Sequence, residues 1–196
     1  VTDDGAEVCR IHDFRNVSKR LDELHPKPEH VSVLLSQQLK DSPESKVLIF
    51  TEYRDTVDLL AERLNSIDGI VADRFIGQSG TGSRKGMNQK QQLAQLQRFR
   101  EGDINVLIAT SVGEEGLDVP AADLVILYEP VPSAIRTIQR RGRTARQRDG
   151  EVHILIAKDT RDVFVYMASK SREKKMHINL DKIKNGIQSI LEKLPT

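Results

Sequence analysis

The feature that most constrains the fold of this chain is a regular alternation of short apolar runs with segments of helical periodicity. Each apolar run is only about four to seven residues long, which is the length of a strand. The runs lie at Val47–Phe50, Ile70–Ile76, Val106–Ala109, Leu124–Leu127 and Val152–Ala157. Strands that are apolar on both faces are typical of parallel sheets with both faces covered. The sequence therefore predicts an α/β fold, in which helices cover both faces of a parallel β-sheet.

Between these runs, apolar residues recur every three or four positions, as they do in amphipathic helices. Helices are predicted around residues 31–39, 57–64, 93–99, 133–141 and 162–171, and a terminal one at 180–194. Gly102 and Gly142 follow two of these segments and are predicted to end them. Ligands of parallel sheets bind at the carboxyl ends of the strands, so the residues just after each strand are candidates for function. They are Thr51, Gly77, Thr110 and Glu129.

The chain is predicted to have three parts. Residues 1–25 are interpreted as a helical extension, the tail of an inserted domain upstream, because their apolar residues from Ile11 to Leu24 have helical spacing. Residues 26–175 form the main domain, and residues 176–196 a C-terminal amphipathic helix whose apolar stripe serves packing. Because the chain starts at Val1 without a methionine, we expect it to be a fragment of a longer protein.

Composition excludes several classes of protein. The formal net charge is only +1, so a nucleic-acid partner must be argued from local clusters of charge. A single cysteine excludes an internal disulfide and a cysteine-rich zinc site, and the histidines lack metal-binding spacing, so no metal site is predicted. The apolar runs are far shorter than the roughly 20 residues that cross a membrane, and the polar N-terminus is unlike a signal peptide. We expect an intracellular protein, cytoplasmic in a prokaryote and nuclear in a eukaryote.

A phosphate-binding turn is one interpretation of the stretch VLIATSVGEEGLDVP, where a buried strand runs into a glycine-rich segment. Hydroxyls such as that of Thr110, and free backbone N–H groups at a strand end, can hold phosphate oxygens. Gly116 permits close approach of the backbone, and Asp118 could accept hydrogen bonds from a ribose. An ordinary strand-to-helix turn explains the same residues equally well.

A run of arginines, IQRRGRTARQR, follows the helix predicted from Ser133. Arginine suits phosphate oxygens because its planar fork donates two parallel hydrogen bonds and stays charged. Gln139 and Arg143 are four residues apart, and a helix end at Gly142 would splay Arg143 and Arg146 into a turn. The alternatives are a solvated basic face or a nonspecific nucleic-acid patch. Lysine is absent, and glycine and threonine punctuate the run, which favours a catalytic role.

Two further segments carry weaker signals. In VLIFTEYRDT, Thr51 and Arg54 stand where a phosphate contact would be, although the N-terminus of a helix explains them equally well. The stretch GQSGTGSRKGMNQK is interpreted as a mobile loop near a nucleic-acid backbone, or as a plain exposed loop. It lacks the G-x-x-x-x-G-K-[ST] order of a phosphate loop, and the chain lacks an acidic box for magnesium. A complete ATP site therefore cannot be built from this chain alone.

Taken together and in this order, these segments resemble the C-terminal RecA-like domain of superfamily 2 helicases over residues 26–175. VLIFTEYRDT resembles motif IV, VLIATSVGEEGLDVP resembles motif V, and IQRRGRTAR resembles motif VI. The stretches GQSG, RKGMNQKQQ and LYEPVPSAIRTIQRRGRTAR are most similar to the archaeal Hef and Fanconi anaemia M family of fork-DNA helicases. DEAD-box RNA helicases fit less well, and the innate-immune RNA sensors of the same superfamily remain a rival family.

This resemblance implies a role for each matching residue. Arg143 and Arg146 resemble arginine fingers that reach the γ-phosphate of ATP, and Gln139 resembles the residue that senses this phosphate and the attacking water. Gly116 and Asp118 resemble contacts to phosphate and ribose. The residues that resemble contacts to the nucleic-acid backbone are Thr51, Arg54, Gly77, Gln78 and Thr110.

The implied protein is an ATP-dependent helicase that acts on forked or branched DNA, with RNA as the second possibility. ATP and Mg²⁺ would be held mainly by the first RecA-like domain of the same full-length chain, so this fragment alone is expected to be inactive. Two alternatives stay open at this point. One is an RNA helicase or an ATPase stimulated by double-stranded RNA, and the other is a nucleic-acid-binding module without catalysis.

Overall fold

The computed structural model describes residues 26–77, 86–110, 120–130 and 151–179, together with the backbone of residues 7–11 and 180–191. The strands are β1 (Glu7–Ile11), β2 (Val47–Thr51), β3 (Ala72–Phe75), β4 (Val106–Thr110), β5 (Leu124–Leu127) and β6 (Glu151–Ala157). The helices in the same ranges are α1 (Pro26–Asp41), α2 (Arg54–Leu64), α3 (Gln89–Glu101) and α4 (Arg161–Leu191).

These strands form one parallel sheet with the order β1-β6-β5-β2-β4-β3. From the central strand β2 the chain builds β3 and β4 on one side, then crosses to build β5 and β6 on the other. In open α/β sheets ligands bind at the carboxyl ends of the strands where the order reverses in this way. The topology therefore directs attention to the ends of β2, β4 and β5.

Helices pack on both faces of the sheet, which confirms the predicted fold class. On one face, Leu96 and Phe99 of α3 pack on the sheet, and Val163 and Tyr166 of α4 lie against the same cluster. On the other face, the core is formed by residues of α1 and α2 with alternate residues of the strands, including Val31, Leu35, Val57, Leu60 and Leu64. Burial of each large apolar side chain contributes about 1.5–3 kcal/mol, so the two layers hold the edge residues on a stable scaffold.

Local signals set the ends of α3 and α1. Asn88 and Gln91 form a capping box, in which each side-chain oxygen accepts a hydrogen bond from the backbone N–H of the other, at 2.9 and 2.8 Å. Gly102 ends α3 in the left-handed region at φ 91°, which confirms its predicted role. Helix α1 begins at Pro26 and ends at Asp41, just before Ser42-Pro43, because proline cannot continue a helix.

The helical interpretation of residues 1–25 is wrong for residues 7–11. These residues form β1, which pairs in parallel with β6 from Glu7 opposite His153 to Ile11 opposite Ala157. The reason is tertiary: the free edge of β6 offers backbone hydrogen bonds to a five-residue segment whose own helical periodicity is weak. The remainder of the predicted extension lies outside the described residues.

The prediction of two separate C-terminal helices, at residues 162–171 and 180–194, is wrong as well. Helix α4 runs without a break through Arg161–Leu191, so the two helices predicted at its ends are one element. No proline or glycine stands between residues 171 and 180, and extending a helix that has already formed costs little. Among the described helices, none is both long and apolar enough to span a membrane.

Candidate functional site

Four of the predicted site residues lie in described parts of the chain, and all four stand at the carboxyl edge of the sheet. Thr51 ends β2, Thr110 ends β4, Arg54 begins α2 and Gly77 follows β3. The other predicted residues lie outside the described residues: Gln78, Gly116, Asp118, Gln139, Arg143 and Arg146. The structure therefore brings together the residues predicted to contact nucleic acid, with the exception of Gln78.

Thr110 carries a buried hydroxyl at this edge. The residue is 3% exposed, it stands opposite Thr51 in the register of β2 and β4, and its Oγ1 has no hydrogen-bond partner within the described part of the chain. A buried polar group without a partner costs about 1–3 kcal/mol. This hydroxyl is therefore suited to an oxygen ligand that approaches the end of β4.

Thr51 is fully buried, and its hydroxyl is engaged within the protein. It donates a hydrogen bond to Oε1 of Glu129 at 3.0 Å and accepts one from the backbone N–H of Tyr53 at 3.4 Å. A phosphate oxygen could reach this hydroxyl only if the bond to Glu129 opened. The predicted contact between Thr51 and nucleic acid therefore stays a prediction.

Arg54 links two of the loops at this edge. Its Nη2 donates a hydrogen bond to the carbonyl oxygen of Gly77 at 3.4 Å, although the two residues are far apart along the chain. The residue as a whole is half-buried and its Nη1 is a buried atom, so the predicted contact of this guanidinium with a phosphate stays a prediction. A hydrogen bond thus joins Arg54 and Gly77, which are both predicted to contact the nucleic-acid backbone.

Glu129 was not assigned a role from the sequence, although it follows a buried strand. Besides the bond from Thr51, its Oε2 accepts a hydrogen bond from the backbone N–H of Glu52 at 2.9 Å. Burial raises the pKa of this carboxyl, while the two hydrogen bonds and the nearby Lys27 lower it and Asp162 raises it further. Its place two residues after β5 made it a candidate in the sequence, but nothing there indicated which groups it would bind.

Lys27, in contrast, is a residue that sequence reasoning missed. It is only 2% exposed, and its Nζ donates to the carbonyl oxygen of Tyr128 at 2.7 Å and to the carboxylate of Asp162. The ammonium also lies 5.3 Å from the centre of the Tyr128 ring. Burial, followed by the charges of Glu129 and Asp162, raises the pKa of Tyr128. Because Asp162 accepts from the backbone N–H of Ala157 at 3.1 Å, this network joins α1, β5, β6 and α4.

Lys27, Tyr128, Glu129 and Asp162 line a cleft of about 440 Å³ at the carboxyl edge. The N-terminal turns of three helices meet there: Lys27 and Pro28 from α1, Asp55 and Thr56 from α2, and Arg161 from α4. Within the described ranges, no group of three or more His, Cys, Asp or Glu residues is arranged to bind a metal ion. The described side of the site is thus built from hydroxyls, an arginine, a buried lysine and two half-buried carboxylates.

The chain is similar to helicases along most of its length. It is 41% identical over 167 residues to a Methanocaldococcus jannaschii protein that bears the name of an ATP-dependent RNA helicase. It is also 34% identical over 198 residues to the Fanconi anemia group M protein of Gallus gallus. These alignments cover 85% and 89% of this chain but only 21% and 10% of the two relatives. The chain therefore spans about a fifth or less of the proteins that it matches.

A solved structure and a family model agree with these relatives. The crystal structure of the Pyrococcus furiosus Hef helicase domain matches with a TM-score of 0.63 and 48% identity, over 78% of this chain and 30% of that one. The model of the helicase conserved C-terminal domain matches residues 26–148, which include every residue of the predicted site. The chain therefore belongs to the helicase conserved C-terminal domain family, the second RecA-like domain of superfamily 2 helicases.

Proposed function

We propose that this chain is the C-terminal motor domain of an ATP-dependent DNA helicase or translocase that acts on forked or branched DNA. The observation that carries the proposal is the convergence of Thr51, Arg54, Gly77 and Thr110 at one edge of the sheet, at the ends of β2, β3 and β4. Hydroxyls, a guanidinium and backbone groups bind phosphates without reading bases. Binding is therefore expected to tolerate any sequence and to weaken as the salt concentration rises.

The nucleotide is bound between this domain and the first RecA-like domain of the full-length protein. Gly116 and Asp118 contact its phosphate and ribose, Gln139 senses the γ-phosphate, and Arg143 and Arg146 are the arginine fingers. When bound with Mg²⁺, ATP supplies the phosphoryl group whose transfer drives the motor. The fingers stabilise the charge that develops on this group, and closure of the two domains brings them to it. The chain alone lacks a phosphate loop and an acidic box, so it hydrolyses no ATP by itself.

DNA is favoured as the substrate, since two relatives that match about 70% of this chain bear the name of ATP-dependent DNA helicases. RNA is the second candidate, because the Methanocaldococcus jannaschii relative bears the name of an RNA helicase. Contacts to the backbone alone do not separate the two substrates, so the choice has to be made with the full-length protein.

The test is the ATPase rate of the full-length protein, measured with a forked DNA, a linear DNA duplex and an RNA duplex at equal nucleotide concentration. We expect the forked DNA to stimulate turnover most. Stronger stimulation by the RNA duplex would overturn the assignment to DNA. ATP turnover above background by the 196-residue chain alone would contradict the proposal that this chain carries only part of the ATP site.

A further inference from the structure

We propose that Glu129 is a positioning residue that couples nucleic-acid binding to ATP hydrolysis. It does so by holding the turn after β2 at the end of β5, the last described strand before Gln139, Arg143 and Arg146 in the sequence. This inference rests on the proposed function, because it assumes that nucleic acid binds near Arg54 and that the two arginines are fingers.

The carboxylate of Glu129 binds the turn between β2 and α2 at two points. Oε1 accepts from the Thr51 hydroxyl at 3.0 Å, and Oε2 accepts from the Glu52 backbone N–H at 2.9 Å. Tyr53, at the N-cap position of α2, has an extended backbone and makes no side-chain cap. The position of this turn, and of Arg54 that follows it, therefore depends on the carboxylate of Glu129.

The backbone around Glu129 is fixed on its other side. The backbone N–H of Tyr128 donates to the carbonyl oxygen of Phe50 at 2.8 Å, and the carbonyl oxygen of Tyr128 accepts from Lys27 at 2.7 Å. Gln139 stands ten positions further along the chain, at the start of the arginine run. Glu129 thus joins the turn before Arg54 to the end of β5, and the proposed fingers follow it in the sequence.

Nucleic acid would disturb this contact directly. A phosphate that approaches Thr51 competes with the carboxylate of Glu129 for the same hydroxyl, and the two negative charges repel each other. The contact has therefore two arrangements, one with Thr51 bound to Glu129 and one with Thr51 bound to phosphate. If nucleic acid favours one arrangement and ATP the other, each shifts the equilibrium between the two arrangements and so changes how the domain binds the other ligand. Such a shift is the physical requirement for coupling between two sites.

The chain offers a matched control on the same pair of strands. Asp123, which precedes β5, accepts a hydrogen bond from the backbone N–H of Lys46 at 2.8 Å, just before β2 begins. This bond joins the same two strands through the same kind of carboxylate contact, but at the opposite edge of the sheet. Asp123→Asn therefore reports what the loss of a carboxylate charge on these two strands does to the domain in general.

The experiment measures ATP turnover of the full-length protein with and without saturating forked DNA, for the wild type, Glu129→Gln, Glu129→Asp and Asp123→Asn. Folding is checked by circular dichroism, and the Kd for the DNA is measured separately. For Glu129→Gln we expect the ratio of stimulated to unstimulated turnover to fall at least about fivefold, because coupling free energies typically correspond to factors of that size or more. The Kd should change much less than this ratio. Glu129→Asp should lie between Glu129→Gln and the wild type, and Asp123→Asn should keep the ratio of the wild type.

Three results would overturn the inference. An unchanged ratio in Glu129→Gln, with a stimulated wild type, would remove the coupling role while leaving the proposed function intact. An equal fall in Glu129→Gln and Asp123→Asn would reduce the effect to general strand pairing. A wild type that forked DNA does not stimulate would remove the proposed function and this inference together.

Discussion

At the amino edge of the sheet, polar side chains such as that of Asn105 cap nearby backbone groups and stay partly exposed, whereas at the carboxyl edge the buried Lys27 and Thr51 bond to half-buried carboxylates. Asn105 is typical of the amino edge: its amide accepts from the N–H of Val71 at 2.8 Å and donates to the carbonyl oxygen of Gly69 at 2.7 Å. At the carboxyl edge, Lys27 contacts Asp162, and Thr51 contacts Glu129. Both edges belong to the same sheet, so strand geometry does not explain the difference.

The contrast indicates which polar groups serve stability and which serve function. A partly exposed side chain that completes backbone hydrogen bonds contributes a modest amount, about 0.5–1.5 kcal/mol, at little cost in desolvation. Buried charges and the buried hydroxyl of Thr110 are costly, and apolar residues of similar volume would often be at least as stable. Their concentration at the carboxyl edge is therefore better explained by ligand binding than by folding.

The largest effect is expected from Arg143 and Arg146, which come after the residues of the carboxyl edge in the sequence. In the full-length protein, Arg143→Ala or Arg146→Ala should lower ATP turnover by at least about 100-fold, because an arginine finger stabilises the charge of the transferring phosphoryl group. Steady-state ATPase assays with saturating forked DNA measure this. Arg98→Ala, which removes an exposed arginine of α3 bonded to Asp73, should leave turnover near that of the wild type. A folded Arg143→Ala variant with wild-type turnover would contradict its assignment as a finger.

A large loss of stability is expected when Lys27, the buried lysine at the carboxyl edge, is replaced. Lys27→Met should lower the free energy of unfolding by about 3 kcal/mol, because the carboxylate of Asp162 would lose its buried cation. Urea unfolding at neutral pH measures this change. Lys46→Met at the amino edge removes an ammonium group that donates to a surface carbonyl oxygen, so it should change the free energy by less than about 0.5 kcal/mol. Equal effects of the two substitutions would abolish the distinction between the edges.

A smaller effect of opposite sign is expected for Thr110→Val. Valine has nearly the same shape but no hydroxyl, so the substitution removes a buried polar atom that lacks a described partner. We expect the free energy of unfolding to rise by up to about 1 kcal/mol, while the affinity for nucleic acid falls. Urea unfolding and a DNA-binding titration test the two parts. A variant that loses stability would show that the hydroxyl serves the fold.

The smallest effect is expected from the titration of Glu129. Burial raises the pKa of this carboxyl in the folded protein above its value in the unfolded chain. Between the two values the folded state binds more protons, so the stability of the wild type should rise as the pH falls through the folded-state pKa. Glu129→Gln cannot titrate and should lack this contribution. Urea unfolding of both proteins from pH 7 to pH 4 gives the comparison, and parallel curves would contradict the raised pKa.

The sequence predicted the sheet well because its strands are apolar on both faces and glycine or proline marks several helix ends. All five predicted runs became strands, and Thr51, Arg54, Gly77 and Thr110 met at the predicted edge. Strand β1 could not be predicted, because its hydrogen bonds come from β6, which is more than a hundred residues away in sequence. Lys27 was missed for a similar reason: nothing local distinguishes a lysine that is buried by Tyr128 and Asp162 from one that is solvated.

The unbroken helix α4 has a mechanical consequence. Its 31 residues correspond to about 46 Å at 1.5 Å per residue, roughly twice the length of the longest strand in the sheet. Beyond Ser169, most of its described side chains are exposed, so only the first turns lie against the core. Such a helix acts as a lever: a rotation of the domain by about 10° would move its far end by about 8 Å. Small rotations of the sheet would thus become large displacements at Leu191, where this helix ends.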